Sequence, residues 1–427
     1  MQSKLVRMLF TEPERWENLI NRADMKGINK AELRQFSKPE TRVALYRSLV
    51  ENRLMFPPEH EAQIPKDTPG EFRTVYVGET TERILCPLIN DCLFKLLPHM
   101  VSSSVKSYQK GLSCGKTVKG LSHELMKVNQ NVVGIKTDYH HFFDDISREA
   151  VFHLFDKIER ELGFEPGTEP VVNLMRRTWS DDLVFDIDGN LVEKWRGIRQ
   201  GNAIAAFLAD AIVNELDTYM VQKYPYYVRY SDDIVCITDK PDEAIADINR
   251  ISSQYGVVLN PKKTELLTKD KWFKFLGFSI KGSEISLSCG RLKKFQKEIE
   301  KRTIKSRGIS PEKAVNKVNQ YLYKGDKDGH SWASQVLSTV NNIHDLNLMN
   351  EFVMDCLRAV QTRKTKLGGL GYVPTNKEGV VVRGIGKNVA ANRAKTAKEI
   401  DGYYSLNDMR NVLLTRKGVY DTIVRMM

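Results

Sequence analysis

Three aspartates in this sequence stand at positions where their carboxylates can meet. Asp138 ends an apolar, β-branched segment that predicts a strand. Asp232 and Asp233 lie between two further predicted strands, Tyr226–Tyr230 and Ile234–Thr238. Neighbouring side chains on a strand point to opposite faces, so both members of such a pair can face one site only from a turn. A tight hairpin would provide that turn, and pairing with the strand of Asp138 would bring three carboxylates together.

Such a cluster of acids has a limited range of chemical uses. Two ionised carboxylates about 4 Å apart repel each other by about 4 kcal/mol at an effective dielectric of about 20. Cations must therefore neutralise them, and hard oxygen ligands favour Mg²⁺ or Mn²⁺. Two such ions about 3.5–4 Å apart form the usual arrangement for in-line phosphoryl transfer, one at the attacking oxygen and one at the leaving oxygen. The acids therefore predict a two-metal site, with Mg²⁺ as the expected ion and Mn²⁺ as the alternative.

Two other clusters of polar residues could be taken for metal-binding groups, but we interpret them differently from the three aspartates. Ser180, Asp181 and Asp182 repeat the letters of the hairpin, but no apolar strand precedes them, so we expect a solvated turn. His140 and His141 have no cysteine or histidine partner at ligand spacing, and we do not interpret them as metal ligands.

The elements that must position the three acids alternate irregularly between helices and strands. Residues 1–50 have a helical pattern, a proline-containing loop is expected from there to residue 69, and residues 72–77 alternate as a strand does. A core-facing helix is predicted over residues 204–216, and the chain is mainly helical from about residue 291 onward. This order favours a mixed α+β fold with a partly antiparallel sheet over a doubly wound fold.

The positive charge of the chain is concentrated in its C-terminal third. The 427 residues carry a net charge of +11, and residues 281–427 hold 27 Lys and Arg against 14 Asp and Glu. A helix is predicted here, because Leu292, Phe295 and Ile299 recur at helical spacing and form an apolar face. Its basic outer face comprises Arg291, Lys293, Lys294, Lys297, Lys301, Arg302, Lys305 and Arg307. The one-sided surplus favours a polyanionic partner through counterion release, with a merely solvated face as the alternative.

The composition is that of an ordinary globular protein, with 41% hydrophobic and 28% charged residues. It excludes collagen-like, disordered and disulfide-scaffold chains. No apolar run approaches the ~20 residues of a membrane span, and the first residues turn charged before a secretory segment could form. The six cysteines show no paired spacing and are expected to be reduced thiols. These features predict a cytoplasmic protein without membrane association.

The ordered segments resemble the motifs of reverse transcriptases, in particular the bacterial group II intron, retron and defence-associated relatives. Asp138 with Phe142-Phe143 resembles the first palm motif, and Tyr230-Ser231-Asp232-Asp233 resembles the Tyr-x-Asp-Asp motif. Arg199-Gln200-Gly201 resembles the second palm motif, whose first residue is usually proline. Two upstream segments resemble finger motifs, Phe72-Arg73-Thr74-Val75 and Ser107-Tyr108-Gln109-Lys110-Gly111. The two motifs that follow Tyr-x-Asp-Asp are matched by Lys262-Lys263-Thr264 and Phe275-Leu276-Gly277-Phe278. The likeness covers residues 65–280, and the order of the motifs makes it specific.

The resemblance implies a role for each of these acids and aromatics. Asp138, Asp232 and Asp233 would be the catalytic residues and the metal ligands. Phe143 would be the steric gate that clashes with a ribose 2′-OH and so selects dNTPs, while Phe142 would be a core residue.

The resemblance also implies a set of substrate-binding residues, which are Arg73, Lys66, Phe143, Gln200, Tyr230 and Lys263. Arg73 can grip two phosphate oxygens, and Lys66 is a second candidate for the triphosphate. Gln200 would contact the template or the incoming nucleotide, and it precedes a helix whose N-terminal amides could face that nucleotide. Lys263, or its neighbour Lys262, would protonate the leaving pyrophosphate, with a plain surface lysine as the alternative.

The implied fold is a right-hand polymerase with fingers, palm and a helical thumb. Its predicted parts are an N-terminal helical extension (1–65), fingers (66–130), palm (131–285), basic thumb (286–360) and a basic C-terminal segment (361–427). The thumb would clamp a template–primer duplex through its phosphates, without reading bases. The nucleic-acid-binding residues would be Arg291, Lys293, Lys294, Lys297, Lys301 and Arg302. The C-terminal segment would either hold RNA or be merely solvated.

The implied function is RNA-directed DNA synthesis from dNTPs. The sequence shows neither the His/Cys pattern of an intron-type endonuclease nor the retron hallmarks, and it looks most like free-standing anti-phage reverse transcriptases, of the type 2 group. Such an enzyme copies a structured non-coding RNA into cDNA, with an RNA duplex or an RNA–DNA hybrid as primer–template. Two alternatives stay open, a template-independent or protein-primed DNA polymerase of an abortive-infection system and an RNA-binding scaffold or maturase with dispensable catalysis. The sequence predicts no oligomeric state.

Overall fold

The computed structural model describes residues 3–25, 27–66, 70–109, 111–128, 132–325, 331–367 and 387–427. Lys110 of the finger-like motif and residues 368–386 of the predicted C-terminal segment lie outside these ranges. The described chain combines many helices with largely antiparallel sheets, so the predicted α+β class is confirmed.

The helices are distributed along the whole described chain. In chain order they are α1 (Lys4–Thr11), α2 (Pro13–Glu17), α3 (Lys30–Phe36), α4 (Pro39–Val50), α5 (Thr80–Leu96), α6 (Cys114–Lys127), α7 (Phe142–Asp145), α8 (Arg148–Glu161), α9 (Pro170–Ser180), α10 (Ala205–Ile212), α11 (Asn214–Lys223), α12 (Pro241–Ser252), α13 (Cys289–Arg302), α14 (Pro311–Tyr323), α15 (Trp332–Val336), α16 (Ile343–Gln361), α17 (Lys387–Lys395), α18 (Leu406–Thr415) and α19 (Lys417–Met426). Several begin at a serine side chain that accepts a backbone N–H, as at Ser3, Ser147, Ser288 and Ser310.

The strands are short and form three sheets. In chain order they are β1 (Glu59–Pro65), β2 (Phe72–Val77), β3 (Val132–Asp138), β4 (Leu183–Phe185), β5 (Leu191–Glu193), β6 (Tyr226–Tyr230), β7 (Asp233–Ile237), β8 (Glu265–Thr268), β9 (Phe273–Phe275), β10 (Phe278–Lys281) and β11 (Glu284–Leu287). The predicted strands at 132–138, 226–230 and 72–77 are confirmed, and the strand predicted at 234–238 begins and ends one residue earlier.

The chain divides into two compact units, and the first comprises residues 1–112 and 134–266. A large apolar core fills this unit, and Trp16, Phe155, Trp179 and Phe207 are among its fully buried side chains. One sheet has the order β6-β7-β3-β8, in which β7 is antiparallel to both β6 and β3. The other has the order β2-β1-β4-β5, in which only the β1–β4 pair is parallel.

Two sequence predictions in the first unit are wrong in detail. The proline-containing segment before residue 69 is not all loop, because residues 60–65 form a strand that pairs with β2. Within β1 only Glu59 is buried, so the strand has no apolar alternation that could reveal it, and its partner strand organises it. The helix predicted over residues 204–216 is interrupted at Val213, which separates α10 from α11.

The second unit comprises residues 113–133 and 267–427. Its antiparallel sheet has the order β11-β10-β9, and α6 packs on β10 and β11. From α13 onward the described residues are mainly helical, as predicted. The apolar face of α13 is confirmed, since Leu292, Phe295 and Ile299 are buried, with Phe295 stacked on Trp332.

Two further sequence predictions concern membrane spans and cysteines. Within the described ranges, no helix combines the length and the apolar character that a bilayer crossing requires. All six cysteines are free thiols, and Cys86, Cys92, Cys236 and Cys356 are buried.

Candidate active site

The three predicted acids come together at one end of the β6-β7-β3 part of the sheet. Asp138, the last residue of β3, lies directly opposite Asp233, the first residue of β7. Asp233 in turn lies opposite Tyr230, the last residue of β6, so Ser231 and Asp232 form the tight turn that the sequence predicted. The Tyr139 N–H donates to the Asp232 carbonyl at 3.3 Å, which ties this turn to the end of β3.

The two hairpin carboxylates are largely withdrawn from water, and each also feels a neighbouring negative charge. Burial raises the pKa of Asp232, and the negative charge of Asp138 adds to this effect. Burial raises the pKa of Asp233 to about 6, with a further contribution from the charge of Asp232. The positive charge of Lys263 acts in the opposite direction on both groups. The site therefore favours a cation, as the clustering of acids predicted.

Lys263 supplies one positive charge to this cluster directly. Its ammonium group donates a hydrogen bond to Asp138 Oδ2, and this bond raises the pKa of Lys263. The backbone brings the two residues together, since the Asn260 N–H donates to the Asp138 carbonyl at 2.8 Å. Both lysines that the sequence proposed are exposed, but Lys263 is the one that bonds an acid of the cluster.

The second oxygen of Asp138 is the feature that fits a metal ion. Asp138 is only 4% exposed, and its Oδ1 is buried without any hydrogen-bond partner among the described residues. In the same residues no three Asp, Glu, His or Cys side chains are already arranged as a metal site. The donor set nevertheless suits a hard divalent cation, because carboxylate oxygens are concentrated here and one of them is buried and unpartnered. Asp138, Asp232 and Asp233 are the residues that would hold it.

The two aromatic residues after Asp138 occupy different environments. Phe142 is buried and stacks on Tyr139, while Phe143 is half-buried with its ring edge-on to Phe142 at 5.7 Å between centroids. The Phe143 carbonyl accepts the Ile198 N–H at 3.0 Å. Gly197 permits this approach, because a Cβ there would lie 1.9 Å from the Phe143 oxygen. The structure thus separates a core phenylalanine from a partly accessible one, in the arrangement that the sequence predicted.

Gln200 is placed against the fingers-like strand β2. Its carbonyl accepts the Tyr76 N–H at 2.7 Å. The helix that was expected after Gln200 is α10, which begins at Ala205. The amides at that end are already bonded: the Ile204 N–H donates to Asn202 Oδ1 at 3.0 Å, and the Phe207 N–H to Asn90 Oδ1 at 3.1 Å.

Arg199, which stands where the motif usually has proline, is a buried anchor of this loop. Its guanidinium group lies 3.5 Å from Glu59 Oε2 and donates to the Asp181 carbonyl at 2.8 Å. It also lies over the Trp179 ring at 4.8 Å from the centroid. Where the motif usually has a rigid proline, this chain has Arg199, and the buried contacts of its side chain hold the loop in place.

The structure places the two proposed phosphate-binding residues differently. Arg73 is exposed on β2, and its positive charge partly offsets the rise that burial causes in the pKa of Asp232. Lys66 lies at the end of the β1–β2 hairpin, where its ammonium group is 3.9 Å from Glu71 Oε2. Tyr230, the remaining candidate of the hairpin, is half-buried beside Asp233.

The second Ser-Asp-Asp segment is not the solvated turn that the sequence predicted. Ser180 ends α9, and the Asp182 side chain is only 18% exposed because it is paired with Arg148. The Asp181 carbonyl accepts the buried guanidinium groups of Arg196 and Arg199. This segment therefore holds buried arginine side chains in place, which its residue types alone do not predict.

In the second unit, the basic residues of α13 fall into two groups. Lys293, Lys294, Lys297 and Lys301 are exposed, as predicted. The expected exposure on the outer face is wrong for Arg291, which lies over the Phe278 ring at 4.6 Å. Burial lowers the pKa of Arg291. The expected exposure is also wrong for Arg302, which is paired with Glu298 and lies over the Tyr321 ring at 4.1 Å. Both guanidinium groups pack on aromatic rings because Arg is weakly hydrated and planar.

Sequence reasoning missed a buried polar network beneath the turn at Ser231 and Asp232. Arg229 and Asp217 are both fully buried and paired, with Nη2 and Oδ2 2.7 Å apart. Ser107, in the finger-like motif, bonds both Ser231 and Asp210. The available signal was a charged residue inside an apolar strand, since such residues are rarely buried unless paired.

Comparison with known proteins gives a consistent family assignment. The family described as "Reverse transcriptase (RNA-dependent DNA polymerase)" matches residues 64–280. The curated "Putative COX1/OXI3 intron 2 protein" of Saccharomyces cerevisiae (strain ATCC 204508 / S288c) is 24% identical over 208 residues, which are 48% of this chain and 21% of that protein. The chain thus spans about a fifth of the length of this curated relative.

Solved structures of telomerases are also similar to the chain. Apo telomerase from Candida tropicalis has a TM-score of 0.44 at 14% identity, over 72% of this chain and 57% of that one. Telomerase from Candida albicans in complex with a TWJ fragment of telomeric RNA has a TM-score of 0.43 at 13% identity, over 90% and 70%. The family match, by contrast, spans half of the chain and contains every palm motif together with the three acids. The chain belongs to the reverse transcriptase family, whose right-hand polymerase fold is the one predicted.

Proposed function

We propose that this chain is an RNA-directed DNA polymerase that extends a primer with dNTPs by two-metal nucleotidyl transfer. The observation that carries the proposal is the convergence of Asp138, Asp232 and Asp233 at one end of a sheet in a member of the reverse transcriptase family. Mg²⁺ is the ion we expect, with Mn²⁺ as a substitute, because both prefer carboxylate oxygens.

The proposed mechanism assigns a task to each group around the hairpin. The bound divalent ions would neutralise charge on the attacking and leaving oxygens. Asp138 and the hairpin acids hold their positions through the sheet register. Lys263 carries its proton beside Asp138, and we assign it the protonation of the leaving pyrophosphate. Arg73, exposed on β2, would hold the triphosphate with two N–H donors.

Sugar selection is assigned to Phe143. Its half-buried ring lies edge-on to the buried ring of Phe142 and would exclude a 2′-OH by contact. Phe143→Ala is expected to increase incorporation of rNTPs relative to dNTPs in primer extension with matched templates. Unchanged discrimination in a variant that still extends with dNTPs would assign the gate to another residue.

The central test removes two of the acids. Asp232→Ala combined with Asp233→Ala is expected to abolish dNTP incorporation while leaving RNA affinity nearly unchanged. The matched control is Asp239→Ala with Asp242→Ala, since both residues are exposed acids of the same unit. Retained polymerisation in the first double variant would reject the site assignment, and equal losses in both would show that the loss is not specific to the hairpin.

We further propose that the template is a dedicated structured non-coding RNA and that the cDNA serves anti-phage defence. The support is the motif resemblance, together with the exposed lysines of α13, which we assign to duplex phosphates as part of a thumb. Sequencing the nucleic acid that co-purifies with the protein should return one predominant RNA and cDNA complementary to it. A broad mixture of RNAs would contradict a dedicated template.

The same preparations distinguish the two alternative functions. Extension of a tyrosine by the purified protein without RNA would favour a protein-primed or template-independent polymerase. The variant with both Asp232→Ala and Asp233→Ala tests the other alternative. If it keeps the full biological effect through RNA binding or support of splicing, a scaffold or maturase would be favoured. Neither result is expected, because the buried acids have no evident use in RNA binding alone.

A further inference from the structure

A buried arginine lies directly beneath the hairpin that carries Asp232 and Asp233. Arg229 is two residues before the turn in β6 and is 0% exposed. Its guanidinium group forms a two-pronged pair with Asp217 of α11, with 2.8 Å between Nε and Oδ1 and 2.7 Å between Nη2 and Oδ2. Asp217 also accepts the hydroxyl of Tyr227 at 2.9 Å. Arg229 is therefore fixed in one orientation by groups that are themselves buried.

The remaining donors of Arg229 are aimed at backbone carbonyls around the turn. Nη1 donates to the Ser231 carbonyl at 3.0 Å, and Nη2 donates to the Asp210 carbonyl at 3.0 Å. The Ser231 carbonyl belongs to the peptide bond that leads into Asp232. Arginine suits this arrangement because it presents five N–H donors in a rigid fork, whereas lysine presents a single point charge.

A second set of hydrogen bonds holds the same residue from the finger-like motif. The Ser231 N–H donates to Ser107 Oγ at 3.0 Å, and Ser107 Oγ donates to Asp210 Oδ1 at 2.6 Å. The Ser231 hydroxyl shares a hydrogen bond of 3.0 Å with the hydroxyl of Tyr108. The amide, the side chain and the carbonyl of Ser231 are thus all bonded by the surrounding structure.

The conformation of Ser231 explains why so many bonds are concentrated there. Its φ is +57°, a left-handed conformation that a non-glycine residue rarely adopts. Such a residue keeps this conformation only where its surroundings determine it fully, and this tends to occur at functional sites. The left-handed residue is what turns the chain sharply enough for β7 to begin at Asp233, opposite Asp138.

We propose that Arg229 and Ser107 are positioning residues of the active site, which fix Ser231 and thereby the directions of the Asp232 and Asp233 carboxylates. The inference rests on the proposed function of those acids. A buried ion pair is weak evidence for a role in stability, since well-packed apolar residues often stabilise a core equally well. Here the charged group supplies hydrogen bonds to a catalytic turn, which an apolar residue could not supply.

The primary test is Arg229→Lys. A lysine keeps the charge opposite Asp217 but cannot reach the Ser231 carbonyl while it holds both carboxylate oxygens. We expect kcat for dNTP incorporation to fall about 10- to 100-fold, with KM for dNTP and RNA affinity within about twofold. We also expect Mn²⁺ binding, followed by electron paramagnetic resonance without substrate, to weaken several-fold. This second readout does not depend on turnover.

Two further variants make the test decisive. Ser107→Ala removes the other attachment of Ser231 with little change in volume, and it should produce the same pattern at a smaller size, about 3- to 10-fold in kcat. If Arg229→Lys does not fold, the Ser107→Ala variant alone tests the positioning role. The matched control is Arg176→Lys, since Arg176 is likewise an ion-paired arginine, with Asp156 and Glu159 each at 2.7 Å, but has no bond to the hairpin.

The outcomes separate this inference from the proposed function. Values of kcat and Mn²⁺ affinity within twofold of the unaltered protein, in folded Arg229→Lys and Ser107→Ala, would overturn the positioning role. The same pattern in Arg176→Lys would also overturn it, because general destabilisation would then be the cause. An unaltered protein that binds Mn²⁺ but polymerises no dNTPs would instead refute the proposed function, and the effect of Arg229→Lys on Mn²⁺ binding would still test the positioning role.

Discussion

The hairpin and helix α13 use charged side chains in opposite ways. Around the hairpin, Arg229 and Asp217 are fully buried and each is held by several hydrogen bonds. On α13, Lys293, Lys297 and Lys301 are exposed to solvent. A buried charge is tolerated only where its partners are in place, so it determines geometry. An exposed lysine side chain adopts many conformations and contributes little to binding by itself. Several such lysines together can bind a polyanion. Single substitutions should therefore have large effects in the first region and small, cumulative effects in the second.

The largest expected difference concerns Asp138 and Lys297. Asp138→Asn removes a negative charge from the acidic cluster and should reduce dNTP incorporation by about 10³-fold or more, because charge neutralisation at the reacting oxygens is worth several kcal/mol. Lys297→Gln should change the rate less than about twofold at low salt. Primer extension on a homopolymeric RNA template measures both, and a comparable loss in the two variants would abolish the distinction between the regions.

Stability should separate the same regions. Arg229→Met leaves Asp217 buried without its cation and should lower the free energy of unfolding by about 3–5 kcal/mol. The exposed control Lys297→Met should change it by no more than about 0.5 kcal/mol. Urea denaturation with unchanged m-values measures both effects. A change below about 1 kcal/mol in Arg229→Met would show that the buried pair contributes no more than a surface ion pair does.

A buried acid should also make stability depend on pH where an exposed acid does not. Burial raises the pKa of Glu82 to about 8, and the charge of Glu59 adds to this shift. The folded state then binds the proton more tightly than the unfolded chain, whose glutamate pKa is about 4.3. The contribution of Glu82 to stability is therefore complete below about pH 4.3 and is lost as the pH rises toward about 8.

Glu82→Gln tests that sign, because glutamine does not titrate. Relative to the variant, the unaltered protein should lose stability steadily between about pH 5 and 8. Glu312→Gln, at an exposed position in the first turn of α14, should leave the pH dependence unchanged. Parallel stability curves for the unaltered protein and Glu82→Gln would show that Glu82 is ionised in the folded state.

The smallest effects per residue are expected on α13. Replacing Lys293, Lys294 and Lys297 by glutamine should make the slope of log affinity for RNA against log salt less negative, by about 0.7–0.9 for each phosphate that is no longer neutralised. Arg291→Gln is the matched control, since this side chain packs on Phe278 and should affect stability more than the salt slope. An unchanged slope in the triple variant would return α13 to a merely solvated face.

Local pattern predicted much of the hairpin correctly. The β-branched run before Asp138 and the two short apolar runs on either side of Asp232 depend on neighbouring residues, so the strands were predictable to within one residue. Strand β1 was not predictable, because it is polar and exists through its pairing with β2. The environments of Arg291 and Asp182 were equally hidden, since each depends on a partner, Phe278 or Arg148, that no local pattern indicates.

The sequence by itself determined which residues could form an acidic site and on which elements they lie, because strand and turn preferences are local. Only the tertiary structure decided which cation meets which acid. Lys263 and Asp138 are 125 residues apart, and Ser107 and Ser231 are 124 apart. Charge and hydrogen-bonding capacity are properties of residue type, but the partner that satisfies them is set by the packing of distant segments.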